Sequence, residues 1–159
     1  MTPYHQLSTQ STIADEVLDF AKTTGAWLPY YNFYAVQVPF EVAFKDPVLH
    51  ALGTQHTLAV GIIRLDPNTT YDWHTDTRRG VSVNMLLNDV ASHCIFSTQE
   101  NEATHRFIEL QYKPHTYYLF NNQVPHMVMN FNQSRYLLSI EFKEDKAALT
   151  YAQLLKELT

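Results

Sequence analysis

From Tyr30 to Phe142 the sequence is a succession of short runs rich in aromatic and β-branched residues, separated by Asn, Asp, Gly and Pro. The runs are Tyr30 to Val38, His56 to Leu65, Tyr71 to Asp76, Gly80 to Leu87, His93 to Ser97, Arg106 to Gln111, Thr116 to Phe120, His126 to Asn130 and Arg135 to Phe142. Such side chains fit a pleated, half-buried surface better than they fit a helix. Strands this short, about 8–12 residues apart with turns between, belong to a sandwich or barrel. Only four residues are Gly, so the turns fall largely to Asn, Asp and Pro, and Asp66-Pro67-Asn68 is the strongest of them.

We therefore expect a mainly β fold: a jelly roll (double-stranded β-helix, cupin-like) with flanking N- and C-terminal helices. Ser11 to Thr23 carries Ile13, Val17, Leu18, Phe20 and Ala21 at helical spacing, with Ser11 placed to cap it and Gly25 after its end. Asp46-Pro47 reads as a cap followed by proline at the first helical position. A last helix is expected from about Asp145 to Leu158.

The length of 159 residues fits one domain, 1–159, and an apolar share of 45 % supplies a core. Net charge is −5 and there is no basic run, so neither a nucleic acid nor a membrane is expected as partner. Cys94 is the one cysteine. It forms no internal disulfide, sits in an apolar run as an inert thiol, and fits a reducing compartment. Met1 to Thr12 lacks the basic and apolar blocks of a signal peptide. The expectation is a soluble, cytoplasmic protein.

The chemistry is concentrated in four residues. In Trp73-His74-Thr75-Asp76, strand alternation turns His74 and Asp76 to one side and Trp73 to the other. A third ligand from another strand completes two histidines and a carboxylate on one face of an octahedral metal, an arrangement suited to non-haem iron(II). Alone, a His-x-Asp pair in a chain with eight histidines is weak evidence. The second half adds His126, just after a Pro turn at the head of an apolar strand, and Arg135, nine residues later at the head of the next. An Arg there must reach solvent or find a carboxylate, which its planar fork grips with two hydrogen bonds.

This order of residues resembles the iron(II)/2-oxoglutarate-dependent dioxygenases over Thr57 to Phe142. The stretch Phe120 to Phe142 is similar to the aspartyl/asparaginyl β-hydroxylase and prolyl hydroxylase branches, though the first of these often has Gly where this chain has Asp76. The resemblance implies Fe(2+) on His74, Asp76 and His126, with 2-oxoglutarate held by Arg135 and O2 as the oxidant. It implies hydroxylation of an unactivated C–H bond, with release of succinate and carbon dioxide. The branches resembled point to an amino acid, free or in a peptide or protein, as substrate. Asn84 and Tyr118 are further candidates for the cosubstrate, and Arg64, Arg78 and Arg79 for an acidic group on the substrate. Bland readings stand beside these: a polar strand face for Asn84, a core tyrosine for Tyr118, a solvated loop for Arg78 and Arg79. His93, His105 and His115 match no compact ligand set. The alternative to an enzyme is a non-catalytic cupin-like metal-binding or sensing protein, which has no need of Arg135.

Overall fold

A computed structural model describes residues 1–159. Its strands are β1 (Tyr4–Gln10), β2 (Leu28–Tyr30), β3 (Phe33–Gln37), β4 (Leu58–Leu65), β5 (Thr70–His74), β6 (Val81–Leu86), β7 (Ser92–Asn101), β8 (Thr104–Glu109), β9 (Thr116–Asn121), β10 (His126–Asn130) and β11 (Arg135–Phe142). Its helices are α1 (Ala14–Thr23), α2 (Phe40–Ala43), α3 (Pro47–Gln55) and α4 (Tyr151–Leu158). The major sheet runs β1-β9-β6-β11-β4-β3-β2 and the minor sheet β5-β10-β7-β8. Every pairing is antiparallel. This is the expected double-stranded β-helix with flanking helices. No helix is long and apolar enough to cross a membrane.

Alternation along the strands decides which side chains line the interior. Val81, Val83 and Met85 of β6, Leu119 of β9, and Leu138 and Ile140 of β11 join a cluster of 25 buried residues that includes Val17, Leu49 and Leu154 of the helices. Truncating a fully buried residue such as Leu138 to Ala costs about 2–5 kcal/mol. The opposite face of the same strands carries Ser82, Asn84, Tyr118, Arg135 and Ser139, all buried. Between the sheets only five buried apolar residues cluster: Cys94, Phe96, Leu110, Tyr118 and Phe120. The helix-covered face is thus the stabilising core, and the inter-sheet space is left to polar groups.

Three local expectations need correction. α1 starts at Ala14 with no side-chain cap. Ser11 Oγ instead accepts from Ile13 N, and Asp46 Oδ2 accepts from Thr12 N. α4 starts at Tyr151 rather than Asp145, because Thr150 and Gln153 form a reciprocal capping box. β1 was not expected at all, since Tyr4–Gln10 is polar and buries only Leu7. Asp46 does cap α3, accepting from Val48 N and Leu49 N.

Candidate metal centre

β5 ends at His74, and β10 begins at His126 directly opposite it. Asp76 follows in the loop, where its backbone N donates to Asn122 O at 3.0 Å. The potential ligand atoms of His74, Asp76 and His126 all lie within 4.8 Å of one another. Asp76 Oδ1 is 3.7 Å from His74 Nε2 and 4.0 Å from His126 Nε2.

The surroundings fix the orientation of all three. His74 Nδ1 donates to Asp72 O at 2.6 Å, and His126 Nδ1 donates to Val124 O at 2.8 Å. Each bond spends the proton on Nδ1 and leaves the Nε2 lone pair turned inward, the tautomer a metal ligand needs. Asp76 Oδ2 accepts from Arg79 Nε at 2.6 Å and from Asn122 Nδ2 at 2.9 Å, so Oδ1 stays free. Gln123 Nε2 ties the loop by donating to Asp76 O and Arg79 O. Burial, assisted by the neighbouring His74, brings His126 down to about 4 and keeps its ring neutral near pH 7. The donor set of two neutral imidazoles and one carboxylate, each steered by an outer partner, fits a divalent iron-type ion.

Arg135 heads β11 on the inner face and is 4 % exposed. Its Nε donates to Ser92 Oγ at 3.2 Å, and the guanidinium lies 5.7 Å over the Tyr112 ring. No carboxylate pairs with it. Asn84 Oδ1 and Ser82 Oγ, on the same inner face, are buried without partners. A buried unpaired cation beside orphaned polar atoms fits an anionic, hydrogen-bonding ligand.

Solved structures with the same architecture are available for comparison. A prolyl-4-hydroxylase from Pseudomonas putida superposes with a TM-score of 0.69 at 14 % identity, covering 88 % of this chain and 91 % of that one. A 2OG-Fe(II) oxygenase family oxidoreductase from Burkholderia pseudomallei gives 0.65 at 12 % identity, covering 94 % and 87 %. A prolyl hydroxylase from Trichoplax adhaerens, in complex with a hypoxia inducible factor peptide fragment, gives 0.66 at 13 % identity, covering 88 % and 83 %. The chain has the fold of the iron(II)/2-oxoglutarate oxygenases. No family profile and no curated protein sequence matches it.

Within this oxygenase fold the other expected residues divide. Asn84 pairs with Ser139 on one side and Tyr118 on the other, facing inward. The Tyr118 hydroxyl accepts from Lys113 N and lies 3.5 Å from Gln6 Oε1, so it is already engaged. Arg79 is in the site, but as the partner of Asp76 and, through Nη1, of Ser139 Oγ at 3.2 Å. Arg78 is exposed. Arg64 is a correction: it lies on the helix-side face, over the rings of Trp27 and Tyr34 and bonded to Asp66. Strand alternation from Ile62, which is in the helix-side core, gives that direction. Trp73 faces away from the site and stacks on exposed Phe107. His93, His105 and His115 stand apart, against Glu109, Ser97 and Asp15 respectively. Cys94 is buried, and burial pushes its thiol up to about 11.

Sequence reasoning missed Ser92, Asn122 and Tyr112. Tyr112 follows β8 in a loop, and burial raises its hydroxyl, which meets the Asn84 side chain. Two of the three arrive from loops, where no periodicity announces a direction. Ser92 opens β7, at a strand end where alternation has only begun.

Proposed function

We propose that this protein is an iron(II)- and 2-oxoglutarate-dependent dioxygenase that hydroxylates an unactivated C–H bond of an amino-acid residue. The observation that carries the proposal is Arg135, a buried cation with no acidic partner on the same inner face as the His74, Asp76 and His126 cluster. A module that only binds metal has no use for it. Arg135 and Ser139 are two inward positions apart, roughly 13 Å along the strand. Ser139 joins Asp76 through Arg79. A five-carbon dicarboxylate and the arginine arm together span that interval.

In this reading His74, Asp76 and His126 hold the iron, and Arg135 holds the far carboxylate of 2-oxoglutarate. The bound iron supplies oxygen activation coupled to decarboxylation of 2-oxoglutarate, giving succinate and carbon dioxide. The chain supplies position and shelter. Nδ1 bonds to backbone carbonyls stop the imidazoles from rotating, and Arg79 with Asn122 stops the carboxylate from turning. Asn84 and Ser82 offer hydrogen bonds to the bound dicarboxylate, and Phe96, Phe120 and Val128 form an apolar backing near His126 that excludes water. The complex of the Trichoplax adhaerens enzyme with a peptide supports a residue within a peptide as the target. The reduced, buried Cys94 agrees with a cytoplasmic setting.

The test is succinate formation by the purified protein with iron(II), ascorbate and 2-oxoglutarate in air. Wild type should produce succinate slowly without added substrate, Asp76→Ala almost none, and Arg135→Ala should need far more 2-oxoglutarate. Equal rates in all three exclude the mechanism.

A further inference from the structure

An unbroken run of aromatic rings leads from solvent to the candidate metal centre. The Tyr71 and His74 ring centroids are 3.8 Å apart. Phe33 meets Tyr71 edge-on at 5.1 Å. Tyr30 and Tyr31 close over Phe33 at 5.5 and 6.2 Å and touch each other at 4.7 Å. These two tyrosines form the tip of the β2–β3 hairpin, and they are 56 % and 75 % exposed. Their outer ring faces therefore contribute little to the core.

The tip is held rather than loose. Asn32 Nδ2 donates to Thr70 O at 2.5 Å, fastening the turn to β5, the strand that carries Tyr71 and His74. Tyr31 has φ 53°, a left-handed conformation that is costly for a bulky aromatic residue. Strain of this kind persists where surroundings over-determine it, and it concentrates at ligand-binding sites. Asn or Gly would relax the turn, yet the position presents a tyrosine to water.

We propose that Tyr30, Tyr31, Phe33 and Tyr71 form the substrate-binding wall of the centre and take an extended peptide with an uncharged, apolar side chain against the rings. The proposal rests on the oxygenase reading above. Three ring contacts separate Tyr31 from His74, so a free amino acid held at the centre does not reach the tip, whereas a peptide does. Tyrosine supplies rigid, amphipathic contact area at low entropic cost, its ring for side chains and its hydroxyl for backbone amides. The rings themselves are neutral, and the charges beside Tyr71, Asp76 and Arg79, are paired with each other. A charged target side chain finds no partner on this wall.

The experiment uses blocked pentapeptides with a central Leu, Pro, Asp or Lys between alanines. Binding is followed by calorimetry, and peptide-stimulated succinate formation is measured in parallel. The Leu and Pro peptides should bind wild type at least about tenfold more tightly than the Asp and Lys peptides. The double variant Tyr30→Ser/Tyr31→Asn, whose Asn suits the left-handed turn, should lose about tenfold in Kd, appearing as a raised KM at constant kcat. Tyr34→Ser, on the opposite face of β3 under Arg64, should bind as wild type and serves as the control for folding. Equal binding by the double variant, or no binding by any peptide, overturns the wall. Preference for the Asp peptide also overturns it and assigns recognition to Arg78. Succinate formation by wild type without peptide reports on the oxygenase reading separately, so failure of one is distinguished from failure of the other.

Discussion

Arg79 holds Asp76 by one carboxylate oxygen only, with Nε 2.6 Å from Oδ2, and so leaves Oδ1 directed at the two imidazoles. The side chain of Arg79 thereby sets which oxygen is available to a metal. It also reaches Ser139, linking the loop after β5 to the central strand β11. Outer partners of this kind are worth about 10- to 100-fold in metal affinity. Arg79→Met is expected to weaken iron(II) or manganese(II) binding by that amount, measured by calorimetry under anaerobic conditions. Arg79→Lys keeps the charge but loses the fork, and should fall between the two. Unchanged affinity in Arg79→Met would remove the orienting role.

Gly80 sets the path of the same loop. A Cβ there would lie 2.5 Å from Leu149 O and 3.1 Å from Lys146 O, both backbone atoms that cannot step aside alone. Lys146 N also donates to Arg78 O at 3.1 Å. Gly80→Ala must push the Arg78–Gly80 backbone away from the segment before α4. The expected cost is about 1–3 kcal/mol. At about 2–4 °C per kcal/mol for a chain of this size, thermal denaturation should show a Tm lower by several degrees. Because Arg79 moves with the loop, metal affinity should drop as well, whereas Gly25→Ala, with nothing near its Cβ, should leave metal affinity as in wild type.

His56 carries the pH dependence. Its Nδ1 is 2.9 Å from Glu144 Oε1 and its Nε2 2.9 Å from Glu157 Oε2. Both bonds can form at once only when both nitrogens bear protons. Burial opposes that charge, but the hydrogen bonds to Glu144 and Glu157 outweigh it and raise the group above 6.5. A folded value above the unfolded one gives stability that is fully present below 6.5 and fades as pH rises through the folded value. Wild type should therefore exceed His56→Gln in Tm at about pH 6, and the gap should narrow as pH increases above neutrality. A gap independent of pH would mean that His56 acts through packing on Phe142 alone.

How much of this was legible in the sequence depended on whether a residue lies on a regular strand. β10 and β11 begin and end where the apolar pattern does. The convergence of His74 and His126 follows from strand alternation and adjacency. The polar inner face, Asn84 and Ser139 in register, was legible by the same rule. Alternation also exposes the error over Arg64, which shares a face with Val60 and Ile62 and so turns from the site. The cluster's supports were hidden because Arg79, Asn122 and Gln123 reach it from loops, where direction is set by tertiary hydrogen bonds. β1 was hidden because an edge strand with one buried residue has no hydrophobic signature. The hairpin tip was read as continuous strand, since Tyr30-Tyr31-Asn32 contains neither Gly nor Pro to announce a turn.

Arg135 offers a prediction with two opposite signs. A buried guanidinium without a counter-ion carries a desolvation cost of several kcal/mol that the Ser92 hydroxyl offsets only in part. Arg135→Met keeps much of the volume and removes the charge. The metal-free variant should therefore be more stable than metal-free wild type, by roughly 1–3 kcal/mol. Its affinity for 2-oxoglutarate should nevertheless fall by at least about tenfold, since a charge-assisted pair contributes about 1.5–3 kcal/mol. Thermal scans separate the two effects. Adding 2-oxoglutarate with manganese(II) should raise the Tm of wild type as mass action requires, and should raise that of Arg135→Met much less, from a higher starting point. A variant that is less stable than wild type without ligand, yet gains as much from 2-oxoglutarate, would show that the Arg135 charge is satisfied within the fold and that the dicarboxylate binds elsewhere.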